Sequence, residues 1–230
     1  MGSINFMNDL NTVCRLFINM LIPYDRIKDI LNAHNISITG AFHIGAHECE
    51  EIPFYQQLQL SLINVIWLDA IPQKIKEAKE RGIPNVYHAV ITDKDDEEVT
   101  FHVSNNGQSS SVLEFGTHAQ EHPWVTYVEN IVQKSTTICS FVQKNQIQLS
   151  KYNFWNFDIQ GAELMALKGA GDLIKHAAAI YLEVNEKELY KGCGLIGEID
   201  AFLLEYGFTR VDTEMTIHGW GDALYVRVTQ

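Results

Sequence analysis

Apolar positions along this chain switch repeatedly between helical and strand spacing. From Phe6 to Ile22 the residues Phe6, Leu10, Val13, Cys14, Phe17, Ile18 and Leu21 recur at helical intervals, and Pro23 closes the run, which predicts an amphipathic helix. Tyr24–His34 repeats the pattern, with Ile27, Ile30 and Leu31 on one face. Ile38–Ile44 then reads as a first central strand, and Gly45-Ala46-His47-Glu48 turns it into a helix over Ile52–Leu60. Asn64–Asp69 is a second apolar strand ending on an acid, Gln73–Arg81 a helix, and Asn85–Ile91 a third strand. Short connections in this β-α-β-α-β order predict a parallel sheet with crossover helices.

Between Thr92 and Asn153 the periodicity fades. Val99–Val103 reads as an extra strand, followed by a polar loop at Ser104–Ser111 and a His118–His122 segment. The pattern returns in Phe154–Ala170, FWNFDIQGAELMALKGA, a buried aromatic strand that ends on Asp158 and turns through Gly161 into a helix. Ala177–Val184 is another buried strand. Phe208–Thr213 and Ala223–Val228, with no helix between them, predict a terminal antiparallel hairpin. We therefore expect one domain over 1–230, an N-terminal helical segment over 1–37 and an α/β core over 38–228.

Composition narrows the partners. The formal charge of −12 arises from 29 acids against 17 bases, and no Lys or Arg stripe forms that would track phosphates, so nucleic acid is not an expected partner. Cys14, Cys49, Cys139 and Cys193 form no CxxC pair, which fits a reduced, cytoplasmic setting. No apolar run reaches the roughly 18 residues of a membrane span, and Phe6 stands where a myristoylation motif has Ser or Thr. Nothing in the pattern specifies an oligomeric state.

The candidate chemistry is positional. Gly45 follows the first strand, Asp69 ends the second, and Asp158 and Glu183 end two later ones, all on the carboxyl edge where open α/β sheets bind ligands. A glycine turn admits close backbone approach, and an acid ending the second strand suits ribose hydroxyls. Asp158, Glu183 and Asn185 make an oxygen-rich group that would suit magnesium or calcium, although a hydrogen-bonding network is the more ordinary outcome and a divalent metal is not expected. His118-Ala119-Gln120-Glu121-His122 matches the inverted zinc-protease pattern HxxEH, but Pro123 pushes His122 out of helical geometry. Ser109, Ser110 and Ser111 form a hydroxyl-rich loop with no GxSxG context around it.

Taken together, Phe42–His47, Trp67–Ala70, Phe157–Glu163 with Leu167–Gly169, Tyr181–Asn185 and Gly219–Asp222 resemble the FkbM-type S-adenosylmethionine-dependent methyltransferases over roughly residues 38–228. The resemblance implies a Rossmann-like, class I methyltransferase fold: a seven-stranded, mostly parallel sheet with an antiparallel last strand and helices on both faces. It also implies S-adenosylmethionine (SAM) as cofactor and methyl transfer to a hydroxyl of a small acceptor, a sugar or nucleotide-sugar. By position, Gly45 and Ala46 would approach the methionine part, Asp69 would hold the ribose and Ala89 and Val90 would lie near the adenine, with His43, His47 and Ala70 also on the cofactor side. Asp158 would face the methionine amine or the acceptor. His218, His47 and Glu183 are the candidate bases, with Asp158 beside them. The acceptor side would draw on Ser109, Ser110, Ser111 and His118, and on Gln160, Glu163, Asn185 and Trp220. His43 and Cys49 depart from the acid and second glycine usual in the first motif. Two other readings stay open at this point: a non-catalytic nucleoside-binding scaffold of the same fold, and a metal-dependent hydrolase.

Overall fold

In the computed structural model of the chain, residues 20–228 are described. The helix expected over Phe6–Ile22 lies almost wholly outside them. The elements in order are α1 (Tyr24–Ala33), β1 (Ala41–Ile44), α2 (Ile52–Gln57), β2 (Val65–Asp69), α3 (Pro72–Glu80), β3 (Val86–His88), β4 (Val90–Ile91), β5 (Glu98–Ser104), α4 (His118–Glu121) and β6 (Tyr127–Thr136). They continue with α5 (Ile138–Lys144), β7 (Phe154–Phe157), α6 (Glu163–Ala170), β8 (Ala179–Asn185), α7 (Ile196–Glu205), β9 (Phe208–Met215) and β10 (Trp220–Arg227).

Among the described residues, seven strands form one sheet in the order β3-β2-β1-β7-β8-β10-β9. The pairs from β3 through β8 are parallel, and β10 inserts antiparallel to both β8 and β9. The expected terminal hairpin and antiparallel last strand are therefore present. Strand alternation sends Phe42, Leu68, Trp155 and Leu182 into one core layer with α5, α6 and α7. Ala41, Trp67, Phe154 and Tyr181 go into the other, against α1, α2 and α3. Burial on both faces explains why the central strands read as continuous apolar runs. No helix among the described residues is long and apolar enough to cross a membrane.

Two expectations need correction. The run Asn85–Ile91 is two strands, because at Ala89 the chain leaves the large sheet: the Ala89 N–H donates to the Asp69 carbonyl at 3.0 Å, and Val90–Ile91 then pairs with β6. The weakly patterned region holds a second, three-stranded sheet in the order β4-β6-β5. Its central strand, β6, carries Glu129, Gln133, Lys134 and exposed Val128 and Val132, so its face towards water erases the apolar signal.

The β1 turn is the tightest point of the fold. Gly45 has φ +95°, and a Cβ placed there would stand 1.8 Å from the Asp158 carbonyl oxygen at the end of β7. Its N–H and that of Ala46 both donate to the Leu68 carbonyl, at 2.9 and 2.8 Å, tying β1, β2 and β7 together at one edge. Gly45→Ala should accordingly cost more than about 2 kcal/mol in urea unfolding, through both steric overlap and left-handed strain. Gly82→Ala, also at positive φ but with open space around its Cβ, should cost only about 1 kcal/mol.

Candidate active site

The carboxyl ends of the parallel strands open into a cleft of about 390 Å³. Its floor comes from Gly45 and His47 after β1, Asp69 to Ile71 after β2, Asp158 to Gln160 after β7, Glu183 on β8 and Asp222 on β10. Asn106 to Ser110 and a segment from His118 to Val125 wall the other side. A ligand crevice at this edge is the expected consequence of the strand order reversing between β1 and β7.

Asp69 is held from both sides. The His47 N–H donates to its Oδ2 at 2.7 Å and the Ile71 N–H to its Oδ1 at 2.7 Å, while burial pushes its carboxyl up. Each oxygen keeps a lone pair for a further donor. Next to Asp69 runs a narrow apolar crevice of about 20 Å³ lined by Ala70, Ala89, Val90, Phe101 and Val112 among others. It has room for about one water.

Gln160 joins two carboxyls. Its Nε2 donates to Asp158 Oδ1 and to Glu183 Oε2, both at 2.7 Å, and its Oε1 accepts from the Tyr190 hydroxyl at 2.6 Å. Burial raises Asp158 to about 6 against the opposing Gln160 bond. Glu183 is raised well above the usual range, by burial first and then by Asp158, Glu163 and Asp222. Asp222 reaches about 7 through burial, although the Tyr181 hydroxyl and the Leu21 N–H both donate to its Oδ2. By contrast Glu50, although burial opposes it, is held down to about 2 by the His47 ring, whose Nδ1 lies 2.7 Å from Glu50 Oε1. No Lys or Arg is among the described residues that line the cleft.

Most of the expected site residues meet here: Gly45, His47, Asp69, Ala70, Ser109, Ser110, His118, Asp158, Gln160, Glu183 and Trp220. Others sit elsewhere for identifiable reasons. His43 is wholly buried on the α2 side of β1, its Nδ1 2.8 Å from the Tyr55 hydroxyl, and burial lowers it to about 4, so it is a neutral core residue. Ala46 packs into the same core layer. Glu163 does not line the cleft; its Oε1 accepts the Ile159 N–H at 3.0 Å, closing the turn after β7. Ser111 braces the opposite loop by donating to the Gln160 carbonyl at 2.8 Å. Asn185 is buried beside the β10 start, with neither amide atom partnered. His218, expected as a base, lies outside the lining: its Nδ1 is 2.9 Å from Glu121 Oε2, and its ring stands 4.7 Å from that of His122.

Sequence reasoning passed over Glu50, Glu51, Asp222 and Tyr190 as site residues, although Asp222 closes the last matched motif. The structure does not put the His118/His122 pair on one helical face. α4 ends at Glu121, His122 is non-helical ahead of Pro123, and no group of three metal-ligating side chains occurs among the described residues. His118 instead stacks on Phe115 at 4.3 Å, is lowered to about 4 first by burial and then by His122, and leaves its Nδ1 without a partner.

The family model described as "Methyltransferase FkbM domain" matches residues 43–210. The chain belongs to the FkbM methyltransferase family. That match starts in β1, spans the Gly45 turn, Asp69 and the Asp158–Glu183 pair, and ends in β9. Solved structures similar to this FkbM chain include a magnesium protoporphyrin IX methyltransferase from Synechocystis with bound SAM, at 15% identity and TM-score 0.45, covering 99% of this chain and 86% of that one. A SAM-dependent methyltransferase from Bacteroides fragilis in complex with S-adenosylhomocysteine shows 10% identity and TM-score 0.45, covering 94% and 82%. The comparison with curated proteins returns no match.

The buried acids carry a stability signature. Glu163, at about 8 through burial, binds its proton more tightly folded than unfolded, so its contribution is complete below the unfolded carboxyl range and is lost as pH rises through about 8. Asp222, at about 7, acts in the same sense. His43, lowered to about 4, acts oppositely, favouring folding as pH rises from about 4 to about 6.5. Above about pH 6.5, therefore, the ligand-free chain should lose stability towards about pH 8, and Glu163→Gln should flatten that slope in a series of urea titrations.

Proposed function

We propose that this FkbM-family protein is a cytoplasmic, single-domain, SAM-dependent O-methyltransferase that transfers a methyl group to a hydroxyl of a small carbohydrate-like acceptor. The observation that carries this reading is an acid-lined cleft, with no Lys or Arg among its described lining residues, that begins at a cradle no side chain can enter, Gly45, and runs past Asp69. SAM carries a sulfonium and an ammonium, and the buried carboxyls of Glu183 and Asp222, which no Lys or Arg of the described lining meets, fit that charge. The free cysteines among the described residues, Cys49, Cys139 and Cys193, fit a reducing compartment.

When bound, SAM supplies an activated methyl group on sulfur. Asp69 would hold the ribose with its remaining lone pairs, Gly45 and His47 would flank the methionine part, and Ala70, Ala89 and Val90 would lie near the adenine. Asp158, whose backbone abuts Gly45, serves the cofactor side. Glu183, across the Gln160 amide from it, serves the acceptor side and takes the hydroxyl proton, its proton affinity raised by burial well above that of an ordinary carboxylate. Ser109, Ser110, His118 and Trp220 bound the space left for the acceptor and exclude water from it.

Calorimetry with SAM and S-adenosylhomocysteine tests the cofactor half. Both should bind, and Asp69→Ala should weaken each by at least roughly 10-fold, since the loss of a charged hydrogen-bond acceptor is costly. Failure of either ligand to bind, or an Asp69→Ala variant that matches the parent, contradicts the assignment. In a methyl-transfer assay Glu183→Gln should lower kcat roughly 100-fold while leaving cofactor affinity near the parent value. An unchanged kcat removes Glu183 from the proton-accepting role.

A further inference from the structure

The stretch that follows the Gly45 turn carries two buried polar atoms without a partner, Glu51 Oε2 and His47 Nε2, and both residues line the cleft. What they meet there is an inference that rests on the methyltransferase reading above. Glu51 stands at the N-cap of α2, is 4% exposed and makes no side-chain capping bond. The His43 ring, 3.8 Å away, does not serve it. His43 Nε2 faces the Gly45 carbonyl at 3.2 Å, and a carbonyl only accepts, so Nε2 carries the hydrogen and the bare Nδ1 accepts from the Tyr55 hydroxyl. The nearby Asp222 and Asp158 each have a protein donor at one oxygen, whereas Glu51 Oε2 is left for a donor from outside the chain. His47 is set the other way. Its Nδ1 lies 2.7 Å from Glu50 Oε1, while Glu50 Oε2 accepts the Glu48 N–H at 2.9 Å. Glu50 stays ionised against the pull of its burial, so it fixes the ring and keeps a hydrogen on Nδ1. His47 Nε2 then looks towards Gly107, where a Cβ would stand 2.8 Å from it, and it becomes a donor when an anion approaches. One segment thus offers an acceptor to a cation and, four residues away, a nitrogen to an anion. An α-amino acid, with ammonium and carboxylate on one carbon, answers both.

We propose that the segment after β1 reads the amino-acid end of the cofactor: Glu51 accepts from its ammonium, His47 Nε2 donates to its carboxylate, and Glu50 is a positioning residue that holds the His47 ring for that bond.

Three ligands that share one thioadenosine group separate the parts. S-adenosylhomocysteine carries both charges, its decarboxylated form carries the ammonium alone, and methylthioadenosine carries neither. Each is titrated calorimetrically into the full chain and into three variants. Glu51→Gln, which keeps the side chain's shape, is expected to weaken the first two ligands by roughly 10-fold or more and methylthioadenosine by less than about 2-fold. His47→Asn and Glu50→Ala are expected to weaken S-adenosylhomocysteine by roughly 10-fold and to leave the other two within about 2-fold, a selectivity that a merely structural loss does not produce. A parent chain that binds none of the three ends the methyltransferase reading and this proposal with it. Where the parent binds S-adenosylhomocysteine, an unchanged Glu51→Gln variant, or one that loses all three ligands equally, overturns the ammonium assignment alone. The same two results in His47→Asn and Glu50→Ala overturn the carboxylate assignment.

Discussion

One amide holds the centre of this structure. Gln160 Nε2 donates to Asp158 and Glu183 at once, so a half-buried and a buried carboxyl from neighbouring strands share a single neutral donor pair. To place it there the backbone adopts φ +56° at Gln160 and +94° at Gly161, a left-handed step that is unfavourable for a side-chain-bearing residue. The strain is sustained by what surrounds it. Tyr190 donates to the other end of the amide, Ser111 donates to the Gln160 carbonyl, and Glu163 accepts the Ile159 N–H. Each conspicuous residue of the DIQGAE stretch thus has a separate mechanical task.

The same arrangement couples the small sheet to the large one. Ser111 pairs with His102 of β5 through the backbone, so the loop that walls the cleft is fixed at one end to the three-stranded sheet and at the other to the β7 turn. Asp222 extends the coupling: its carboxyl takes the Tyr181 hydroxyl on the neighbouring strand and the Leu21 N–H of the segment entering α1. The cleft is consequently rigid at its floor. Its unusual property is electrical, a group of acids, Glu51, Glu183 and Asp222, that burial raises first and neighbouring carboxyls raise further.

Much of this was legible in the sequence where burial is two-sided. Ala41–Ile44, Val65–Asp69, Phe154–Phe157 and Ala179–Asn185 lie between two helical layers, so they read as apolar runs, and the acids that end them stand out. β6 was invisible because much of it faces water, Val128 and Val132 included, and the contacts that fix it are polar or aromatic ones to distant residues, such as Gln133 donating to the Ala70 carbonyl and Tyr127 stacking on Phe115. The site was legible as far as strand ends reach. His43 and Glu163 went astray because the chemistry of a residue says nothing of which way a strand or turn aims it: His43 shares the parity of Ala41, facing α2, and Glu163 folds back onto its own turn. His218 was drawn away by Glu121, a partner 97 positions distant that no local pattern reveals.

The claim at the centre of this account is that the cleft's carboxyls are kept partly protonated by burial and mutual repulsion until a cation arrives. Binding of SAM at about pH 7, measured calorimetrically in two buffers of different ionisation enthalpy, tests it directly. The account predicts net proton release on binding, because a cation among raised carboxyls lowers them. Binding with no proton exchange, or with net uptake, would contradict it.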